Sequence, residues 1–258
     1  MSARSDDEDG WATLACSLDG GPAAMAAIGL VVLANDTVIE PEVRRFLPLP
    51  GVEVYASRIP MARDLTPASL AAMADSLPQA IELLLPDDRL DVVAFGCTSG
   101  SMIIGPDRIA GIVRSARPGV AVTDPVSASL TALSALGAAR IALVTPYPAS
   151  VNVMVEDYLS GKGVEIAARA TFRQESDVTI ARIDPRDIFN AAVEIGRNDV
   201  DAVFLSCTAL RCSAIIEAVE QAIGKPVVTS NQALAWDALR KAGSRAAIPA
   251  KGRLLRDR

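Results

Sequence analysis

Cys97 and Cys207 stand at matching places in two halves of one repeated pattern. Asp91-Val-Val-Ala-Phe-Gly-Cys97-Thr98 and Asp201-Ala-Val-Phe-Leu-Ser-Cys207-Thr208 are apolar runs that each end in Cys-Thr, 110 positions apart. Three further pairings keep nearly the same spacing: Ile28-Gly-Leu-Val-Val with Ile141-Ala-Leu-Val-Thr, Gly51-Val-Glu-Val with Gly163-Val-Glu-Ile, and the segments closing at Gly137 and Gly243. The pattern predicts a duplicated α/β unit in which two equivalent strand ends each present a thiol to one cleft. A thiolate on one side of a carbon and a thiol on the other can remove a proton and return one to the opposite face, which is general acid–base catalysis. A helix starting after each cysteine is expected to lower its pKa from about 8.5 toward neutrality. One such cysteine alone reads better as a core residue, since free Cys is among the most buried residue types. The repeat symmetry is what tips the pair toward function.

The rest of the composition narrows the chemistry. The 258 residues contain no histidine, so His-containing triads, His-ligated zinc and imidazole proton shuttles are impossible. Proton transfer falls to Cys, carboxylate, Lys or Tyr. Cys16, Cys97, Cys207 and Cys212 form no C-x-x-C, which argues against a thioredoxin-like pair or a zinc knuckle, and four thiols suggest no disulfide framework. Walker A and G-x-G-x-x-G motifs are missing, so no nucleotide cofactor is expected. A net charge of −6 gives no basic face for nucleic acid. No apolar run reaches the roughly 18 residues of a membrane span, and the acidic start Met1-Ser-Ala-Arg-Ser-Asp-Asp-Glu-Asp lacks the order of a signal peptide. A cytoplasmic location is the expectation.

Residues 1–25 are polar, acidic and without periodicity, and read as a mobile arm. Beyond them, eight β-branched runs near 27–33, 52–58, 91–96, 120–123, 140–145, 164–171, 201–206 and 226–229 alternate with helical patterns. Thr66-Pro67 and Asp184-Pro185 are helix starts, Ser150 begins a helix that stops near Gly161, and Gly137, Gly224 and Gly243 close others. After each Cys-Thr a helix is expected, over 103–116 and 213–223. The fold class is α/β with two pseudo-symmetric Rossmann-like lobes, each a four-stranded parallel sheet, and with the site in the cleft between them. One lobe takes 26–125 plus 230–250, where the last helix, 231–242, returns to pack; the other takes 126–229.

At these residues the chain resembles the aspartate/glutamate racemase superfamily, in the branch that holds maleate cis–trans isomerase, arylmalonate decarboxylase and the ectoine-utilisation racemase-like protein. The resemblance runs from residue 28 to about 245, through Gly29-Leu-Val-Val-Leu-Ala-Asn-Asp36-Thr-Val-Ile-Glu40, Gly96-Cys97-Thr-Ser-Gly-Ser101, Asp124-Pro-Val-Ser, Leu143-Val-Thr-Pro-Tyr147 and Ser206-Cys207-Thr-Ala-Leu-Arg211. It implies no cofactor and a small carboxylate substrate held between the lobes by loop amides and hydroxyls, here those of Thr98, Ser99 and Thr208. Arylmalonate decarboxylase has glycine at the first cysteine site, so the presence of both thiols disfavours decarboxylation. Maleate isomerase uses both, one of them as nucleophile. Where that enzyme binds substrate through two asparagines, this chain matches Asp36 and Asp177. Two carboxylates in a desolvated cleft repel a dicarboxylate and suit an ammonium or amidinium. Asp36, Cys97-Thr98-Ser99-Gly100 and Ser206-Cys207-Thr208 with Leu210-Arg211 look most like the ectoine-utilisation member, which implies a racemase-like role in ectoine or amino-acid catabolism.

Asp177 reads alternatively as an exposed residue approaching a helix, and Asn35 either orients the ligand or serves an ordinary turn. Tyr147, at the position equivalent to Asn35, matches a ligand-contacting tyrosine in the family or fills space as a packing aromatic. Arg211, at the start of the second predicted helix, reads as solvent-facing or as a salt bridge to substrate. Cys16 and Cys212 read as structural, and Trp236 with Leu234 and Leu239 as a core helix face. A homo-oligomer stays open.

Overall fold

The computed structural model describes residues 11, 13–62 and 66–258. The first half runs β1 (Ala26–Leu33), α1 (Ile39–Phe46), β2 (Val52–Ile59), α2 (Pro67–Ala72), a short 3-10 turn, α3 (Leu77–Glu82), β3 (Val92–Phe95), α4 (Thr98–Ile104), α5 (Pro106–Ala116), β4 (Ala121–Thr123) and α6 (Pro125–Ala135). The second runs β5 (Arg140–Thr145), α7 (Ala149–Gly161), β6 (Glu165–Thr171), α8 (Asp177–Ile180), α9 (Pro185–Gly196), β7 (Ala202–Leu205), α10 (Ile216–Ile223), β8 (Val227–Thr229), α11 (Ser230–Lys241) and α12 (Gly252–Asp257). Of the N-terminal arm, residues 1–10 and 12 lie outside the described residues, and 13–25 form no helix or strand until they meet β1. No helix among the described residues is long and apolar enough to cross a membrane.

All eight strands fall within a residue or so of their predicted limits, and all pair in parallel. The two sheets have the same order, β2-β1-β3-β4 and β6-β5-β7-β8. β1, β3, β7 and β8 are buried at every residue, as strands covered by helices on both faces must be. In each sheet the chain leaves the first strand toward one neighbour and returns on its other side, so the switch point lies between β1 and β3, and between β5 and β7. Crevices at the carboxyl ends of such strand pairs are where open α/β sheets hold ligands.

The predicted helix starts hold at Thr66, whose hydroxyl accepts from Ser69 N in a capping box, and at Asp184, which caps Arg186 N. Two helix expectations are corrected. The helix after Cys97 begins at once, at Thr98, and breaks at Gly105-Pro106, where Gly105 adopts φ +88°, a conformation that favours glycine. After Cys207, by contrast, no helix forms until Ile216.

Helix α1 holds this stretch instead. Glu42, buried in that helix, accepts from the backbone N–H of Cys212 at 3.0 Å, from that of Ser213 at 2.9 Å and from the Ser213 hydroxyl at 2.5 Å. A carboxylate from the first half thus satisfies the N–H groups of a segment that stays outside α10. Arg211 is accordingly in no helix; it is exposed and donates to the Ile183 carbonyl at 2.8 Å. Burial raises the Glu42 pKa, while the donors from Ser213 and Cys212 oppose the shift. Glu42→Ala strands these donors and is expected to cost roughly 2 kcal/mol, read as a lower urea midpoint at unchanged slope. An unchanged midpoint would show that water replaces the carboxylate at no cost.

Helix α11 packs on α6 and α1 and lies over β3, β4 and β8. Leu234, Trp236 and Leu239 are buried on it, as expected, and its Asp237 accepts from the Thr123 hydroxyl at the end of β4. The helix therefore runs through the centre of the molecule.

Candidate active site

Asn35, Cys97, Tyr147 and Cys207 each lie two residues beyond the carboxyl end of a central strand, β1, β3, β5 and β7 respectively. The pseudo-twofold repeat pairs Asn35 with Tyr147 and Cys97 with Cys207. All four cysteines are free thiols, with Cys16 exposed and Cys97, Cys207 and Cys212 buried.

Cys97 is the N-cap of α4, and its sulfur accepts from Gly100 N at 3.3 Å and lies 3.7 Å from Ser99 Oγ. Glycine is needed at 100 for this approach, because a Cβ there would meet the Sγ at 3.1 Å and Met73 Cε at 2.5 Å. Cys207 lacks a helix behind it. Its sulfur accepts from Ala209 N at 3.4 Å, and the Tyr147 hydroxyl beside it favours its ionised form. Tyr147 is therefore a packed aromatic whose polar end faces a thiol.

The two carboxylates also come to this place. Asp36 Oδ1 accepts from Val38 N at 2.7 Å and Ile39 N at 2.9 Å, which opens α1. Asp177 is the first residue of α8, buried and not exposed, and Asn35 Nδ2 donates to its Oδ2 at 3.4 Å across the two halves. Each carboxylate acts electrostatically on both sulfurs, so Cys97, Cys207, Asp36 and Asp177 form one cluster.

The expected lowering of the thiol pKa is overturned by this company. Burial, then the Asp177 charge, push Cys97 up to about 12 against the opposing donors Gly100 and Ser99. Burial and Asp177 raise Cys207 well above its usual range, although Tyr147 and Ala209 oppose them. Without ligand both thiols are neutral at pH 7. Burial likewise raises Asp177, opposed by the Asn35 amide. It lifts Asp36 to about 6, against the N–H groups of Ile39 and Val38. Charge is costly throughout the cluster, because a low-dielectric site disfavours every ionised form.

Thr98, Ser99 and Thr208 are buried beside the thiols. Thr98 does not leave its hydroxyl free, since it donates to Ser230 Oγ at 3.0 Å, and the Thr208 carbonyl accepts from Asn231 Nδ2 at 2.8 Å. Sequence reasoning passed over Ser230 and Asn231. They follow β8 as Asp124-Pro125 follows β4, and the unlike residues at those equivalent places were the available signal.

A profile of the family described as arylmalonate decarboxylase matches residues 28–255. The chain is similar to a maleate isomerase of Nocardia farcinica, 29% identical over 240 residues that cover 89% of this chain and 95% of that protein. It is similar also to an arylmalonate decarboxylase of Bordetella bronchiseptica, 34% identical over 139 residues, or 53% of this chain and 58% of that one. Among solved structures, a cysteine-to-serine variant of the Nocardia farcinica maleate cis–trans isomerase, carrying a covalently bound succinylcysteine intermediate, matches with a TM-score of 0.82 at 26% identity, covering 90% of this chain and 98% of that one.

Proposed function

Because the chain belongs to the arylmalonate decarboxylase family, we propose that it is a cofactor-independent isomerase working between Cys97 and Cys207 on a small carboxylate substrate. The observation that carries this reading is that Cys97 and Cys207, each two residues beyond an equivalent strand end, are both buried within reach of the same two carboxylates and of Tyr147. Both thiols are present, where arylmalonate decarboxylase has glycine at the first site. The maleate isomerases match over nearly their full length, which favours cis–trans isomerisation as the reaction.

Environment divides the work between the sulfurs. Cys97 sits at a helix start with two donors on it and is the sulfur more easily ionised; Cys207 is held as a neutral thiol beside Tyr147. Cys97 passes its proton to Asp36 or Asp177, whose raised pKa values suit them as acceptors, and adds to the double bond. Cys207 protonates the adjacent carbon. Rotation about the resulting single bond, return of that proton to Cys207 and loss of the Cys97 thiolate give the trans product. Thr208 supplies its hydroxyl to the substrate carboxylates, and Thr98 and Ser99, whose hydroxyls are taken by Ser230 and Cys97, supply their amides.

A second reading rests on Asp36 and Asp177. Their combined charge favours a substrate with a cationic group beside its carboxylate, such as an amino acid or a cyclic amidinium met in ectoine catabolism, and the same two thiols would then racemise the α-carbon. Asn35 orients Asp177 in either case. Incubation with maleate, amino acids and cyclic amidines in deuterated buffer, followed by proton NMR, separates the readings. Fumarate from maleate supports the first, and loss of an α-proton signal from a cationic substrate supports the second. A ligand that raises the unfolding temperature without any exchange or product would reduce the chain to a carboxylate-binding protein.

A further inference from the structure

We propose that Ser230 and Asn231 are positioning residues that hold the two cysteine loops in register through one helix start. This rests on the two-thiol reading above. Cys97 and Cys207 belong to different sheets, and a reaction that uses both needs their separation fixed to a fraction of an ångström. Adjacent residues at the beginning of α11 reach one loop each. Ser230 Oγ accepts from the hydroxyl of Thr98, the residue after Cys97, at 3.0 Å. Asn231 Nδ2 donates to the carbonyl of Thr208, the residue after Cys207, at 2.8 Å. Ser230 is wholly buried and Asn231 is 1% exposed, so both bonds are shielded from competing water.

The helix that carries them is itself fixed. Thr229 caps it through Gln232 N at 3.0 Å, and Gln232 Nε2 and Trp236 Nε1 donate to the carbonyls of Lys251 and Arg258. A rigid support of this kind is what a positioning group requires. The Oδ1 of Asn231 has no protein partner although it is buried. An unpaired buried acceptor is tolerated here because the amide nitrogen is needed on the Thr208 carbonyl, which an apolar side chain could not hold. The equivalent start of α6 makes no such link, since Asp124 Oδ1 turns back to cap Val126 N and Ser127 N of its own helix. The clamp therefore belongs to one half of the repeat only, although it serves both thiols.

Two single variants test the assignment, with the labelling rates of Cys97 and Cys207 by iodoacetamide followed separately by peptide mass spectrometry. Asn231→Ala is expected to speed labelling of Cys207 about tenfold and to leave Cys97 within twofold. Ser230→Ala is expected to do the reverse. With a substrate that the native chain turns over, each variant lowers kcat by roughly ten- to a hundredfold at little-changed KM. Equal acceleration of both thiols would mark a general loss of packing and overturn the proposal, as would rates within twofold at both thiols or an unchanged kcat. Because labelling needs no substrate, it judges the clamp even if the native chain isomerises nothing, in which case the functional reading fails separately.

Discussion

Cys97→Ala and Cys207→Ala are each expected to lower turnover by at least about a thousandfold, whichever substrate the NMR panel identifies. In the proposed reaction the two sulfurs act in one sequence of steps, so the double variant should lose little more than either single one. Such non-additivity is itself informative, because two independent contributions would multiply. The roles assigned above make the single variants differ in a second way. In Cys207→Ser the nucleophile remains and the thiol acid does not, so an adduct on a double-bond substrate accumulates at Cys97 and appears as added mass on its peptide. In Cys97→Ser no corresponding mass should appear on Cys207. Retention of more than a tenth of the native rate in either alanine variant would sink the two-thiol mechanism, and an adduct on Cys207 would reverse the assignment of roles while leaving the pair intact. Tyr147→Phe removes the hydroxyl beside Cys207 and should reduce the rate by a smaller factor, about tenfold.

The strands were legible because a parallel sheet covered on both faces demands unbroken apolar runs, and these stand out from the polar turns around them. The repeat then placed Cys97 and Cys207 on equivalent strand ends before any contact was known. What local pattern could not give were features decided by distant residues. The stretch before α10 is held by Glu42, 170 positions away from Cys212, a partner that no local pattern announces. The thiol pKa expectation failed for a related reason: a helix start was weighed, while burial and the Asp177 charge come from the assembled fold and outweigh it. At Cys207 even the helix is missing. The break between α4 and α5 had a readable cause in Gly105-Pro106, a pair that punctuates helices. Ser230 and Asn231 carry no motif, and only the comparison with Asp124-Pro125 across the repeat could have singled them out.

Asp36→Asn is expected to stabilise the protein at pH 8 by about 3 kcal/mol and to leave it unchanged near pH 4. Burial lifts the Asp36 carboxyl to about 6 in the folded chain from an ordinary 3.8, so the folded chain holds this proton more tightly than the unfolded one. Stability from the protonated group is present below about pH 4 and is lost as pH rises through 6, at about 1.4 kcal/mol for each unit between the two values. Asparagine keeps an Oδ1 for the Val38 and Ile39 amides and carries no charge to desolvate, so it retains the cap and escapes the loss. Urea midpoints of both proteins from pH 4 to pH 8 check this, and parallel curves would show that Asp36 is not strained by its burial. The same variant decides between the substrate classes. Removing one carboxylate from beside the thiols should lower KM for a dicarboxylate, while kcat falls in whichever variant loses the acceptor of the Cys97 proton. It should lower kcat/KM by about a hundredfold for a cationic substrate that pairs with Asp36, as truncating one partner of a buried charge pair does. Asp177→Asn should act in the same direction and, since Asp177 is the larger electrostatic influence on both sulfurs, should also speed thiol alkylation at pH 8 more than Asp36→Asn does. A carboxylate pair that merely packed would move stability and leave the preference between maleate and cationic substrates where it stood.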